Sequence, residues 1–453
     1  MKISIPDDVN LIIKTLQDNG FDTYIVGGCV RDSLLGISPK DWDVCTSALP
    51  EEIKKCFENF KTIDVGEKHG TIGVVVNDSI YEVTTFRIDG EYCDNRHPDN
   101  VEFTSDIIKD LSRRDFTINA MAYNDNKGLI DPFNGVKDLN LKAIRCVGDP
   151  DIRFSEDALR ILRAIRFAST YNFSIEVFTA TSLVKNRLLI NNISVERVAN
   201  EFSKLLCGTN INYILRRYKD VIAVFLPELV STFDFEQNNP YHNKTVWKHT
   251  TAAVSNIEND LTLRMVMLLH DIGKPLALRT DIKGIDHFAG HNNFSASIAK
   301  SALERLKYPK DFIENVVLLI TYHDIELGDS KRQIKHILNK IGDDNFKRLL
   351  AVKKADILAK SNYKRENQLN NLILAETFYN EIINNKECFM LKDLDINGSD
   401  LIHLGITNGV QIGFILNSIL VDVINEEIDN DKVLLKKLAL QLHNDLVINK
   451  ADN

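Results

Sequence analysis

The stretch 24–46, YIVGGCVRDSLLGISPKDWDVCT, constrains this chain more than any other. It opens on three apolar residues, Tyr24, Ile25 and Val26, long enough for the end of a buried strand. Gly27 and Gly28 follow at once. A glycine pair lets the backbone turn sharply and bring its N–H groups close to a ligand. Arg31 places a fixed positive charge beside that turn. Asp41 and Asp43 then alternate with Trp42 and Val44, so a strand here points both carboxylates to one face. Two carboxylates side by side repel unless a cation sits between them. Mg²⁺ takes carboxylate oxygens and often bridges to phosphates. A phosphate-cradling turn followed by paired carboxylates therefore fits nucleotidyl transfer. A glycine-rich hairpin with two solvated acids fits the same residues without chemistry.

The flanking segments read as an α+β head. Residues 6–19 predict a helix, with Pro6 at its start, Val9, Ile12, Ile13 and Leu16 at helical spacing, and Gly20 as a stop. A second helix is expected near 50–60. Residues 71–76 and 80–86 are β-branched and aromatic, which predicts two strands joined at Asn77-Asp78-Ser79. Glu82 lies in the second of these and is either a third carboxylate for the pair or a solvated strand residue. The polar stretch IDGEYCDNRHPDNVEF, 88–103, predicts a long loop. Arg113 and Arg114 follow, suited to gripping phosphate or ribose, or forming a plain surface arginine pair next to Asp115.

Residues 155–168, SEDALRILRAIRFA, predict a helix beginning at Ser155. Asp157, Arg160, Arg163 and Arg166 recur every three residues and form a slanted ridge, with apolar residues covering the rest. Arginines on a largely apolar helix are costly unless they face acids or a polyanion. The ridge is thus either a salt-bridged structural feature or a nucleotide site. In the second case the aspartate accepts from an exocyclic amine and an arginine donates to ring acceptors. Further helices are expected at 192–206 and 212–225.

A second constellation begins near 240. It comprises His249, the adjacent pair His270-Asp271, His287, His291, His323 and Asp356, in a chain with 11 histidines. Mixed imidazole and carboxylate donors predict a transition-metal site, without choosing among Mn, Fe, Ni, Co and Zn. The remainder is helical in pattern, with Gly398, Gly405, Gly409 and Gly413 punctuating short helices.

Composition limits the setting. The seven cysteines are dispersed with no CxxC pair, which predicts reduced thiols and a cytoplasmic location. No signal-peptide pattern and no apolar run of ~18 residues is present, so no membrane partner is expected. The formal net charge is −9, so any nucleic-acid contact must rest on locally concentrated Lys and Arg.

Taken together, GGCVRDSLLG…DWDVCT, RRDFTINAMAY, DPFNGVKDL and EDALRILRAIRFA closely resemble the bacterial tRNA nucleotidyltransferases. These are the CCA-adding enzymes of the class that includes poly(A) polymerases. The resemblance covers roughly 20–210. The region 241–360 resembles an HD domain, which some members carry, and NGSDLIHLGITNGVQIG resembles their C-terminal tRNA-binding segment. The resemblance implies a nucleotidyltransferase head with a small mixed sheet over 1–150, and a helical neck over 151–225. An HD-like body over 226–370 and a helical tRNA-binding tail over 371–453 follow.

The resemblance also implies site roles. Asp41 and Asp43 match Mg²⁺ ligands, with Glu82 as a candidate third carboxylate. Gly27, Gly28, Arg31 and Arg114 match nucleotide-binding positions. Asp157 and Arg160 match the amino-acid template that reads the incoming CTP or ATP base, and Arg163 and Arg166 match further nucleotide contacts. The loop 88–103 resembles the flexible element of enzymes that add the whole of CCA. Three other readings remain at this level: a poly(A) polymerase, an HD-type phosphohydrolase as the main activity, and a non-catalytic tRNA-binding protein.

Overall fold

The computed structural model describes residues 2–90 and 100–451. The chain forms two compact units, one of residues 1–227 with 305–308 and one of residues 228–304 with 309–453.

The first unit is built on a seven-stranded sheet. Its strands are β1 (Thr23–Val26), β2 (Val44–Thr46), β3 (Thr62–Gly66), β4 (Thr71–Val76), β5 (Ser79–Thr85), β8 (Ala122–Asn124) and β9 (Gly128–Ile130), in the order β3-β4-β5-β2-β1-β8-β9. The pair β2–β5 is parallel, with Val44 opposite Val83, and the other neighbours run antiparallel. All four residues of β1 are buried, which suits an apolar run in an interior strand. The helix Asp7–Asp18 buries Val9, Ile12, Ile13 and Leu16, the predicted apolar stripe. Tyr24, Val26, Cys45, Phe86, Leu111, Ala120, Ala122 and Val147 form one core beneath the glycine turn. The expected α+β architecture is therefore present.

Several local expectations need correction. The strand expected at 41–44 begins only at Val44. Pro39, upstream, has no N–H to give a ladder, and Asp41 to Asp43 approach the sheet irregularly. Asp43 still contributes its carbonyl, which accepts from the Val26 amide at 3.0 Å. The helix expected over 155–168 is two helices, Pro150–Glu156 and Leu159–Tyr171. Asp157 lies between them in extended backbone, and its Oδ1 accepts from the Leu159 amide at 3.1 Å. A short acid that bonds its own downstream backbone stops one helix and starts the next. Ser155 is thus inside the first helix, which Asp149 caps. The segment 212–225 also divides, into Ile211–Arg217 and Lys219–Ile222. The ends of the expected 88–103 loop pair as a hairpin, β6 (Arg87–Asp89) against β7 (Val101–Phe103). The rest of that loop, 91–99, lies outside the described residues.

The second unit is helical apart from one short strand pair, Arg279–Thr280 with Asp286–His287, among the described residues. The helices Val246–Asn256, Leu261–Leu269, His291–Arg305, Lys310–Tyr322 and Asp343–Ala359 carry the histidine constellation or its flanks. Toward the C-terminus, Leu401, Ile406, Ile415, Ile419, Ile424 and Leu435 share a separate core. Gly409 starts a 16-residue helix that runs straight through Gly413, so that glycine does not punctuate. Among the described residues no helix is long and apolar enough to cross a membrane.

Candidate active site and metal centre

Gly27 makes the turn that organises the first site. Its φ is +79°, and a Cβ there would stand 3.0 Å from Arg114 Nη1. Both the left-handed conformation and the close approach of the guanidinium require glycine. Gly28 opens the helix Gly28–Leu34, which carries Arg31. Arg31 is buried, paired with Asp32 at 2.9 Å and donating to Asn119 Oδ1. Its guanidinium lies 4.8 Å from the Tyr171 ring and 5.1 Å from Phe167. Tyr171 donates to Asp32 Oδ1 at 2.9 Å, so both sides of the arginine are fixed.

Asp41, Asp43 and Glu82 are exposed at residue level. Burial pushes the Asp43 carboxyl up, Arg114 opposes this, and the Asp41 charge adds to it. Burial also raises Glu82, and the charges of Asp43 and then Asp41 raise it further. The charges of Asp41 and Asp43 therefore reach Glu82, which comes from β5. Carboxylates whose charges reach one another offer oxygen-only donors, which suit a hard divalent cation such as Mg²⁺. Arg114 bridges this cluster to Asp110, whose Oδ2 lies 3.4 Å from its Nη2. Asp110 is fully buried and also pairs with Arg113 at 2.9 Å.

The arginine helix Leu159–Tyr171 presents Arg160, Arg163 and Arg166, but Asp157 precedes it rather than lying on it. Each charge has a partner. Arg160 donates to Glu156 at 2.7 Å and to the Arg113 carbonyl at 3.0 Å. Arg163 pairs with Asp115 at 2.7 Å, Arg166 with Glu201 at 2.6 Å, and Asp157 with Arg197 at 3.4 Å. These acid partners were not legible as a set in the sequence. Asp115 sits in RRDFTIN, whereas Glu201 and Arg197 come from a helix about forty residues downstream with no motif of its own.

The second unit brings His249, His270, Asp271, His291, His323 and Asp356 together, all buried. His249 Nε2 and His270 Nε2 lie 3.3 Å apart, as do His249 Nε2 and Asp271 Oδ2. His291 Nε2 and His323 Nε2 lie 3.1 Å apart. The Nδ1 atoms of His270, His291 and His323 face the carbonyls of Met267, Phe288 and Ile320 at 2.8, 2.8 and 2.6 Å. Such bonds fix the tautomer that offers Nε2 to a metal. Burial opposes ionisation of Asp271, but His270 and Lys274 hold its carboxyl well below the ordinary range. His287 does not join; it is exposed and pairs with Asp281 at 3.0 Å. His242, absent from the sequence reading, stands with its ring 5.1 Å from that of His249.

Residues 23–145 match the Poly A polymerase head domain family. Residues 172–231 match the "Probable RNA and SrmB- binding site of polymerase A" family, and 277–439 the tRNA nucleotidyltransferase domain 2 family. The CCA-adding enzyme of Pediococcus pentosaceus is 32% identical over 440 residues, covering 97% of this chain and 98% of that protein. The chain belongs to the CCA-adding enzymes. The counterpart from Ligilactobacillus salivarius is 34% identical, again over 97% and 98% of the two chains. The crystal structure of the Bacillus stearothermophilus CCA-adding enzyme in complex with CTP superposes with a TM-score of 0.71 at 28% identity. That alignment covers 98% of each chain. The expected family thus holds over the whole length, beyond the region 20–210 that carried the sequence resemblance. The glycine turn, the carboxylate cluster and the arginine helix all lie in the first unit of this CCA-adding enzyme.

Proposed function

We propose that this chain adds CCA to the 3′ end of tRNA from CTP and ATP, with Asp41 and Asp43 holding Mg²⁺ and Glu82 completing the carboxylate cluster. The observation that supports the assignment of residues is that the charges of Asp41 and Asp43 reach Glu82, and that of Asp41 reaches Asp43, beside Arg114. Asp41 and Asp43, with Glu82, would hold a divalent cation there, which would supply Lewis-acid activation of the tRNA 3′-hydroxyl and offset charge on the departing pyrophosphate. Arg31 and the Gly27–Gly28 turn orient the triphosphate, and Arg114 supplies a further guanidinium. Arg31 is held rigidly by Asp32, Asn119 and Tyr171, so it needs little reordering on binding. Nothing in the fold or the relatives favours a poly(A) polymerase or a phosphohydrolase as the main activity. The deciding experiment incubates the protein with tRNA lacking its 3′ end and each NTP, then sequences the product ends. Products extended by other than CCA overturn the reading.

Asp157 and Arg160 are proposed to read the base. Cytosine and adenine both carry an amino group that a carboxylate accepts, whereas uracil and guanine present a carbonyl oxygen there. Each contact is worth ~1–3 kcal/mol of discrimination. Asp157 is not in a helix; its Oδ1 accepts from the Leu159 amide at 3.1 Å, which leaves Oδ2, 3.4 Å from Arg197, as the oxygen to accept from a base. Asp157→Ala should raise relative kcat/KM for UTP and GTP by roughly tenfold. Arg166→Ala should raise KM for all four without changing their order. An equal slowing of all four by Asp157→Ala means the residue is structural.

RNA contact is proposed at Lys204, Arg216 and Arg217, all exposed, together with the tail. A surface hollow of about 590 Å³ is lined by Asn210, Asn212, Tyr213, Arg216 and Arg217, and half-exposed Tyr213 offers a stacking face. Phosphate neutralisation releases counterions, so tRNA affinity should fall steeply between 50 and 200 mM salt, on the order of tenfold or more. The double change Arg216→Ala with Arg217→Ala should flatten that slope. A salt-independent affinity in the native protein counts against this surface.

The buried cluster of four histidines and two aspartates supports a second reading alongside the first: a transition-metal site in the second unit. We place the protein in the cytoplasm, in keeping with six free cysteines among the described residues.

A further inference from the structure

We propose that the sheet face bearing Glu82 carries, beyond that carboxylate, an apolar seat for the last nucleotide of the tRNA acceptor. Ile63, Val65, Val75 and Ile80 form it around Gly73. The proposal rests on the CCA-adding reading of the first site and adds the place and the chemistry by which the growing end is held.

Strand register sets the two sides of the site. The Val26 amide donates to the Asp43 carbonyl at 3.0 Å, which places Asp43 beside the glycine turn. β2 and β5 run parallel with Val44 opposite Val83, so Asp43 and Glu82, each one residue earlier, are neighbours. Glu82 pairs with Gly73 of β4, and Gly73 with Ile63 of β3. One row therefore runs from the glycine turn through Asp43 and Glu82 to Gly73 and Ile63, with about 4.8 Å between strands. In the proposed reaction the triphosphate lies at the glycine turn. Transfer is in line, so the bond from the 3′-oxygen to the α-phosphorus forms opposite the breaking bond to pyrophosphate. Pyrophosphate leaves toward Gly27 and Arg31, and the acceptor end must arrive from the other side, over β5, β4 and β3.

That side of the sheet is apolar and open to solvent. Side chains alternate along β5, so Ile80 shares the face of Glu82 and stands about 6.8 Å from it along the strand. The intervening residues turn the other way: Tyr81 donates to Asp8 at 3.1 Å, and Val83 is buried. Ile80 is 58% exposed and Val65 48%. Both lean over Gly73, where a Cβ would stand 2.9 Å from Val65 Cγ2 and 3.1 Å from Ile80 Cγ2. The glycine thus lets two aliphatic side chains lie close to the backbone beside a carboxylate. Val75, opposite Ile80, and Ile63, opposite Gly73, extend the surface. Lys61 continues the row of Val75, whose amide donates to its carbonyl at 3.0 Å, and is exposed. Exposed apolar side chains gathered beside a reactive group mark a contact surface. An aliphatic patch within one sugar's reach of the reacting hydroxyl, edged by a cation, fits a nucleoside and its phosphate. Its side chains offer nothing to a base edge, so it takes any base by the flat face. An enzyme that extends its own product needs that tolerance, because the terminal base changes as the end grows. Polar reading is left to the incoming nucleotide at Asp157 and Arg160.

The test uses the full-length protein, tRNA lacking its 3′ end, and CTP. In the double variant Val65→Ser with Ile80→Ser, kcat/KM for tRNA should fall about tenfold or more, while KM for CTP stays within about twofold. Its melting temperature should match that of the native protein. Ile80→Val, which keeps the apolar contact, should hold kcat/KM for tRNA within about twofold of native. Lys61→Gln should reduce the slope of log affinity for tRNA against log salt by about 1. A readout independent of turnover uses the same tRNA ending in 4-thiouridine, irradiated with the protein in the absence of nucleotide. The crosslink, mapped by mass spectrometry, should fall within residues 61–80 and be lost in the double variant. If the native protein adds no CCA, the reading of the first site fails and this proposal with it. If it adds CCA and the double variant keeps its kcat/KM for tRNA, the seat alone is overturned. An equal rise in KM for CTP assigns the surface to the incoming nucleotide, and a lowered melting temperature assigns it to packing within the chain. Either result overturns the seat, as does a crosslink mapped to other residues.

Discussion

Asp43→Ala is expected to abolish nucleotide addition while leaving tRNA binding in place, and Asp41→Ala to do the same. The Asp41 charge raises the carboxyls of Asp43 and Glu82, and the Asp43 charge that of Glu82, so removing either aspartate relieves repulsion in the free protein rather than costing stability. The loss falls on the reaction alone. A catalytic cation neutralises charge that develops in the transition state, and losing a ligand to it costs several kcal/mol. At about 1.4 kcal/mol per tenfold, the rate should fall by at least ~10³. Single-turnover addition of CTP to tRNA lacking its 3′ end measures this, with filter binding as the control. Residual transfer within tenfold of the native protein removes Asp43 from the metal site. With their carboxyls held above the ordinary value, Asp43 and Glu82 take up protons in competition with a cation as pH falls toward the carboxyl range. The Mg²⁺ concentration needed for half-maximal rate should therefore rise as pH falls.

Much of this site was visible in the sequence because its parts are local. The glycine turn, Arg31 and the two aspartates fall within one stretch, and the left-handed Gly27 confirms the sharp turn that stretch demands. The helix Asp7–Asp18 was legible for the same reason: one apolar stripe, one proline start, one glycine stop. The failures have a common cause. Three-residue spacing puts Asp157 on a helix because it is blind to a side chain that bonds its own backbone and restarts the helix. Asp41 and Asp43 were placed in a strand because alternation cannot sense which residues find a ladder partner. His287 was grouped with the metal ligands by proximity in sequence, yet its strand pairing with Arg279 leaves it exposed while His291, four residues on, is buried. What the sequence withheld were the long-range ion pairs, since Asp115, Glu201 and Arg197 find their partners only after the helices pack.

Among those partners Asp115 carries the largest expected effect on stability. It is buried and accepts from Arg163 at 2.7 Å, from Asn119 Nδ2 at 3.0 Å and from the Phe116 amide at 2.8 Å. Asn119 in turn accepts from Arg31, so one carboxylate ties the arginine helix to the glycine turn. Asp115→Ala leaves Arg163 without its acid and Asn119 and the Phe116 amide without an acceptor. Breaking a buried pair in this way costs ~3–5 kcal/mol. Arg163 keeps 32% of its side chain exposed, which puts the expectation at the lower end. The pH dependence has a definite sign. Burial alone raises the Asp115 carboxyl, but Arg163 and Asn119 outweigh it and lower the pKa to about 2. A carboxylate whose folded pKa lies below its unfolded value of about 4 adds stability above pH 4. That stability is lost as pH falls from 4 toward 2, by roughly 2–3 kcal/mol. Hydrogen exchange of the amides in Leu159–Tyr171, followed from pH 5 down to 2.5, reads this helix without assuming that both units unfold together. After correction for intrinsic exchange, protection should fall with pH in the native protein. In Asp115→Asn it should start lower and change little over the same range. Parallel losses in the two proteins mean that other acids, not Asp115, hold the arginine helix in place.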